Sequence, residues 1–257
     1  MKQSDTKFNS VEKALSVLLA FNAQRPVWGV RELSAHLGFS PATVQRLLQT
    51  LKSYGFVDQA AETRQYRLGN IYFKFLHTIQ SALPITQMAM PLMKQLMAAT
   101  QETVHLNIMD GNERICIDTI EPLQSLKASM PIGSRSPLYA GASSKCLLAF
   151  AAEDFRLNYL ESVHLVPLTA NTISSKAQLS RELQNVRVRG FAESLSERNS
   201  GLGSLSVPIF NHHGTLLAAL SLAIPEIRFK DKDHRNFCLT NLRQIGQDLS
   251  RIMGYQT

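Results

Sequence analysis

VRELSAHLGFSPATVQRLLQTLKSY, residues 30–54, decides the fold of the first third of this 257-residue chain. Val30, Leu33 and Leu37 recur at three and four residues and line one apolar helix face, while Arg31, Glu32 and His36 point elsewhere. Gly38 supplies a stop. Ser40 then stands as an N-cap, Pro41 sits in a first turn where proline is tolerated, and Val44, Leu47, Leu48 and Leu51 make the next buried stripe. That leaves Ser40, Ala42, Thr43, Gln45, Arg46 and Gln49 on the outer surface. A short-turn helix pair whose second helix offers small polar, amide and guanidinium side chains suits a reader of the major groove, although a hairpin that only packs shows the same apolar spacing.

The flanking sequence favours the reader. After Gly55, FVDQ (56–59) and QYRL (65–68) are two short extended runs around a polar tip, so a β-hairpin is expected with Arg64 and Arg67 near that tip. Before the pair, Ser10 is expected to cap a helix over 11–21 whose broad apolar face, Val11, Ala14, Leu15, Val17, Leu18 and Leu19, closes a core. Trp28, the one tryptophan, reads as core. A helix, a helix-turn-helix and a hairpin together describe a winged helix, with the second helix on base edges and the wing on the sugar-phosphate backbone.

Charge agrees with this placement. The formal net charge is +7, and residues 1–100 carry 11 Lys and Arg against 5 Asp and Glu, whereas the remainder carries 16 against 15. The basic excess thus belongs to the winged helix, as a phosphate footprint should. Cys116, Cys146 and Cys238 are far apart and odd in number, which argues against a disulfide framework or a structural zinc and suits a reducing cytoplasm. The polar start, MKQSDTKFNS, reads as a frayed lead-in without signal-peptide character, and no apolar run is long enough to span a bilayer; no membrane partner is expected.

Beyond the wing, helices are expected over 71–82 and 85–100, interrupted at Pro84, with methionines at 88, 90, 93 and 97. Helices that bridge a DNA-binding head and a second domain are placed to dimerise and to transmit motion, although core filling is the usual task of such methionines. From Thr103 the apolar period becomes two. VHLNIM (104–109) and RICIDTI (114–120) flank a turn at Asp110-Gly111-Asn112 and read as an antiparallel hairpin, with a third strand over 126–132 and a loop over 133–137. The Gly-bearing run YAGASS (139–144) leads into a helix from Lys145, and helices are expected over 154–160 and 177–189. Strands over 191–195, 204–210 and 215–223 precede a final helix from Asp231 to about Met253. The class is α+β, around a mostly antiparallel sheet.

Taken in order, VEKALSVLLAF (11–21), ELSAHLGFSPATVQRLLQTLKSYGFV (32–57), YRLG (66–69), ETVHLNI (102–108), GSRSPLYAGASSKCLLAF (133–150), LTANTI (168–173) and RVRGFAESLSERNSGLGSLSVPIF (187–210) resemble the IclR-type bacterial transcriptional regulators, nearly end to end. The resemblance implies a winged helix-turn-helix over 1–69, a helical linker over 70–100, and a GAF-like effector-binding domain over 101–257. It implies homodimers or dimers of dimers on double-stranded operator DNA, repression as the commoner sign, and a small-molecule effector, expected here to be a carboxylate. Carried over position by position, the effector pocket would comprise Ala142, Ser143, Ser194, Ser204, Ser221 and Ala223. Ser194 stands where many relatives have an acid, Ser204 where some have Cys, and Ala223 where some have a second Ser. Backbone amides after Gly141 would receive a carboxylate and the serine hydroxyls would donate to its oxygens, although small residues of this kind also simply pack under a sheet.

Other readings are weaker. Ser143 with Lys145, or His105 with Asp118, could be offered as catalytic pairs, but Lys145 reads as a solvated or structural lysine and His105 as a strand histidine. His212-His213 lacks further ligands at metal spacing. A purely architectural DNA-binding protein leaves the large second domain unexplained. The chain is therefore read as a ligand-responsive transcription factor, not an enzyme, without cofactor or metal. Ser40, Thr43, Gln45, Arg46, Arg64 and Arg67 are its expected DNA contacts.

Overall fold

The computed structural model describes residues 9–256, with 80–82 described by backbone alone; the first eight residues of the polar lead-in lie outside the described residues. The chain divides into two units, one reaching to Leu83 and one beginning at Pro84, a boundary that falls inside the expected linker.

In the first unit, α1 (Ser10–Leu19) is capped by Asn9, whose side chain accepts from the Val11 and Glu12 amides while Glu12 reaches back to the Asn9 N–H. The cap is thus one residue earlier than expected, because a reciprocal pair satisfies two orphan donors where Ser10 alone would satisfy one. The helix also ends earlier, and Phe21 folds back into the core. Of the expected apolar face only Val17 is fully buried, while Val11, Leu15 and Leu19, spaced by four, are exposed. β1 (Val27–Trp28), which the sequence reading missed, precedes α2 (Val30–Leu37) and α3 (Pro41–Ser53). Gly38 ends α2 with φ 70°, a left-handed conformation that glycine adopts without penalty. β2 (Val57–Gln59) and β3 (Tyr66–Leu68) form the wing, with β3 central in the order β1-β3-β2. Trp28 is buried against Val17, Leu33, Val44 and Leu48, and its indole N–H donates to the Ala20 carbonyl at 3.0 Å. α4 (Ile71–Ala82) completes the unit and leaves Phe73, Phe75, Leu76 and Ile79 exposed.

The second unit begins with α5 (Pro84–Thr100), whose Ile85, Ala89, Met93 and Leu96 are buried; Met93 is core filler. β4 (Thr103–Asp110) and β5 (Glu113–Ile120) make the expected hairpin. The expected strand over 126–132 is not one. Although Ala128 and Met130 alternate inward, that backbone makes no ladder, and its Ala128 carbonyl accepts instead from the Thr103 hydroxyl. The edge of β5 is taken by β6 (Arg135–Pro137), within the segment expected to be a loop.

α6 (Ala142–Phe150), α7 (Glu153–Ser162) and α8 (Lys176–Arg189) follow. The chain then runs through β7 (Ala192–Leu195), β8 (Leu202–Phe210), β9 (Leu216–Pro225), the single turn α9 (Glu226–Phe229) and α10 (Lys232–Ile252), for which Asp231, the expected first residue, is the N-cap. α6 starts three residues before Lys145. Its weak helix formers Ser143 and Ser144 are buried beneath the sheet, and tertiary packing overrides their preference.

The sheet order is β6-β5-β4-β9-β8-β7, antiparallel throughout. One face is apolar and is covered by α5 and α10: Val104, Leu106, Leu205, Val207, Leu220 and Leu222 meet Met93, Leu96, Leu242 and Ile245 there. Alternation along the same strands sends His105, Asn107, Ser206 and Ser221 to the opposite face, toward α6. This two-faced register leaves buried polar groups at the N-terminus of α6.

Candidate functional site

Two sites are built on these elements. On the first unit, Ser40 caps α3: its Oγ accepts the Thr43 N–H at 3.2 Å and shares a hydrogen bond with Thr43 Oγ1 at 2.8 Å. Ser40 and Arg46 are exposed, and Thr43 is half-buried. Gln45 is half-buried as well, and its amide donates to the Tyr66 hydroxyl at 3.3 Å, which ties α3 to the wing. A concave surface of about 560 Å³ runs between α2, α3 and the wing, lined by Gln45, Gln49, Lys52, Arg31 and Arg64 among others.

This surface brings Gln45 and Arg64 together, whereas Arg46, Thr43 and Arg67 do not line it. Arg64 lies in the wing turn, with φ 59°. Arg67 does not lie near the tip. The turn closes earlier, through the Ala60 N–H to the Gln65 carbonyl, and Arg67 sits exposed in the central strand between Asp58 and Val27. Arg31 and Lys52 were missed as candidates. Lys52 follows Gln45 at i+7 and Gln49 at i+3, a spacing that could have identified it.

The second site is a small cleft of about 40 Å³ under the start of α6, lined by Ala142, Ser143, Ser194, Ser204 and Ala223 together with His105, Glu197, Arg198 and Met130. Five of the six expected pocket residues therefore meet there. Ser221 does not line it: its hydroxyl is fully buried, 2.7 Å from Ser206 Oγ and 3.4 Å from Asn107 Nδ2, because polar side chains on both flanking strands, β8 and β4, engage it on the same face.

The α6 amides are also not free as expected. The Gly141 N–H donates to Glu197 Oε2 at 3.0 Å and the Ala142 N–H to Ser194 Oγ at 3.0 Å, so a carboxylate of the chain itself already meets the helix dipole. Lys145 is buried, not solvated. Its ammonium meets Glu197 Oε1 at 2.6 Å, the Glu193 carbonyl at 2.9 Å and Glu182 Oε1 at 3.3 Å.

Behind the pocket lies a chain of polar side chains that the sequence reading did not identify. Arg114 is fully buried; its Nε donates to Ser136 Oγ at 2.9 Å and its Nη1 to Asn107 Oδ1 at 3.2 Å. Asn107 Nδ2 lies 2.8 Å from His105 Nδ1. Burial, reinforced by the Arg114 guanidinium, pushes the His105 imidazole down to about 3. Burial and then the neighbouring Arg198 push Arg114 down to about 10. Among the described residues, His105 Nε2 and Arg114 Nη2 are buried without a hydrogen-bond partner. The alternation of VHLN gave the only available signal, since it places His105 and Asn107 on one face.

The geometry lends the catalytic pairs no support. Lys145 Nζ is engaged by Glu182, Glu197 and the Glu193 carbonyl and makes no hydrogen bond to Ser143 among the described residues, and Asp118 accepts from the Thr119 N–H instead of orienting His105. The rings of His212 and His213 lie 3.7 Å apart, and among the described residues no group of three or more His, Cys, Asp or Glu is placed to hold a metal ion. No helix among them is long and apolar enough to cross a membrane.

A family model described as the IclR helix-turn-helix domain matches residues 10–61, and one described as bacterial transcriptional regulator IclR C-terminal matches residues 77–251. The chain is similar to the HTH-type transcriptional regulator XynR of Escherichia coli K12, 35% identical over 246 residues that cover 96% of this chain and 97% of XynR. The crystal structure of Thermotoga maritima IclR is 30% identical, with a TM-score of 0.82 over 96% of this chain and 99% of that one. A Microbacterium hydrocarbonoxydans IclR homolog, crystallised with 4-hydroxybenzoate, shares the fold with a TM-score of 0.82 at 20% identity, over 96% and 99% of the two chains.

Proposed function

Because the chain belongs to the IclR family of bacterial transcriptional regulators, we propose that it represses its target genes and that a small organic acid sets its affinity for operator DNA. In this reading residues 1–69 hold DNA, 70–100 link, and 101–257 hold the effector. Ser40, Thr43, Gln45, Arg46, Arg64 and Arg67 contact DNA, joined by Arg31 and Lys52. Ala142, Ser143, Ser194, Ser204 and Ala223 contact the effector, and Ser221 supports them from behind. Such a protein works in the cytoplasm, where the DNA is.

The observation that carries the effector half is the space under α6, whose wall combines the four serines Ser136, Ser143, Ser194 and Ser204 with Arg198. Its occupant needs oxygen atoms and negative charge to satisfy those donors. Relatedness to a homolog crystallised with 4-hydroxybenzoate supports a carboxylate. One head meets too few base pairs for useful affinity, so the working form is a homodimer or a dimer of dimers. The exposed Val11, Leu15 and Leu19 of α1 and Phe73, Phe75 and Leu76 of α4 give each chain apolar surface for that contact. Control follows by linkage: an acid that prefers one arrangement of the heads changes operator affinity by its differential binding energy.

A gel-shift titration on the DNA just upstream of its own gene, with excess nonspecific competitor, tests the reading. A discrete shift that one of a panel of aromatic and aliphatic carboxylates alters is expected. Ser204→Phe should abolish that response and leave DNA binding nearly intact. Operator binding indifferent to every acid tested would remove the organic acid from the proposal, and an unchanged response in Ser204→Phe would remove Ser204 from the pocket.

A further inference from the structure

We propose that His105 is a hydrogen-bond donor to the effector, its Nε2–H meeting a carboxylate oxygen in the space under α6, and that Asn107 and Arg114 are the positioning residues that hold it in that role. This rests on that space being the effector site.

The assignment follows from which groups can donate. A guanidinium has no acceptor, so the Arg114 Nη1 contact at 3.2 Å requires the carbonyl oxygen of Asn107 to face it. The amide nitrogen of Asn107 then faces His105 Nδ1 at 2.8 Å and donates, so Nδ1 must accept. A neutral imidazole that accepts at Nδ1 carries its proton on Nε2. An imidazolium would set N–H against N–H at that contact and would add a third cation beside Arg114 and Arg198. His105 is therefore fixed as a neutral donor. It is 1% exposed, lines the space under α6, and its Nε2 has no partner among the described residues. A buried donor left unpaired is penalised, and such groups in a cavity wall mark where a ligand oxygen belongs.

The surrounding charge selects a carboxylate over a neutral acceptor. The charged and titratable groups near His105 are Arg114 and Cys116 from β5, Arg198 and Glu197 from the segment after β7, and Lys145 from α6. The Cys116 thiol is pushed up to about 11 by burial and is neutral. Glu197 is matched by Lys145 and the Gly141 N–H. No ion pair among the described residues involves Arg114 or Arg198, and Arg114 Nη2 lacks a hydrogen-bond partner. Two guanidinium groups without a counter-charge, behind and beside a fixed N–H donor, make an electropositive wall.

The test uses the full chain labelled with ¹⁵N-histidine and long-range ¹H–¹⁵N correlation spectra, the His105 signal being the one lost in His105→Asn. The Nε2–H tautomer is expected, unchanged from pH 5 to 8. Acetate, used as a probe, should move the Nε2 signal saturably in the wild-type chain and not in Ser204→Phe, and should bind about tenfold more weakly to His105→Phe. Asn107→Asp replaces a donor by an acceptor, and should move the proton to Nδ1 or bring His105 into titration between pH 5 and 8, effects that mere packing would not produce.

An Nδ1–H tautomer in the wild type, titration in that range, or a signal indifferent to acetate overturns the proposal. Should acetate move His105 while no acid alters operator binding, the donor role stands and the regulatory reading falls. Should an acid alter operator binding while His105 answers neither to it nor to acetate, the regulatory reading stands and the donor role falls.

Discussion

Arg46 stands exposed on the outward side of α3, one helical turn beyond Ala42, and carries no ion pair among the described residues. A guanidinium so placed either reads a guanine edge bidentately or neutralises a phosphate, and the two differ in what they cost when removed. Arg46→Ala should weaken operator binding by roughly 1–3 kcal/mol with little change on random DNA if it reads a base. Paired titrations on operator and random duplexes measure this, and equal losses on both would make it a phosphate contact. Its neighbour Gln45 is a poorer candidate for base reading as it stands. Its amide is already held by Tyr66, so contact with a base requires exchange of that bond. The apolar spacing of the helix placed both side chains outward; only the fold shows that one is engaged.

At the scale of elements, the wing joins the rest of its unit through a close approach of backbones. A Cβ on Gly69 would lie 2.2 Å from the Gly55 carbonyl oxygen and 2.9 Å from its carbon, and the Gly69 N–H donates to the Phe56 carbonyl at 2.9 Å. Neither neighbour is a side chain able to turn away. Gly69→Ala should therefore destabilise the first unit by roughly 1–3 kcal/mol, the cost of overpacking, and weaken DNA binding through the displaced wing. Urea denaturation and operator titration measure the two effects, and a variant as stable as wild type would show that the approach is looser than described. The same element-level logic accounts for α6. Its opening Ala-Ser-Ser has the composition of a loop, yet burial under the sheet makes it the first turn of a helix.

At the scale of the whole molecule, burying a neutral histidine makes stability depend on pH. His105 has a folded value near 3 against an ordinary 6.5, so below 6.5 the unfolded chain binds the proton and the folded chain does not. The contribution is fully retained above pH 6.5 and is lost as the pH falls from there toward 3, at roughly 1.4 kcal/mol per pH unit. Denaturation at pH 6.5 and 5.0 should show a loss of about 2 kcal/mol in the wild type and a smaller one in His105→Asn. Parallel losses in both would show that His105 is not the neutral buried group described. A second global property is the concentration of positive charge in the first hundred residues, which makes DNA affinity salt-dependent while the second unit stays nearly neutral.

The sequence by itself determined the winged helix, the α+β class and the family. Helix caps, glycine stops and apolar periods of 3.6 or two are local signals, and the ordered motifs from VEKALSVLLAF to RVRGFAESLSERNSGLGSLSVPIF carry the resemblance. It also brought Ala142, Ser143, Ser194, Ser204 and Ala223 to one place by analogy. The tertiary structure decided what depends on contacts between distant strands. It put β6 at 135–137 instead of 126–132, moved Arg67 away from the wing tip, gave the α6 amides to Glu197 and Ser194, and enclosed His105, Asn107 and Arg114 in one chain of hydrogen bonds. Local sequence encodes a side chain's face but not its partner. The partner is fixed only when strand register and burial leave each polar group a single place to find one.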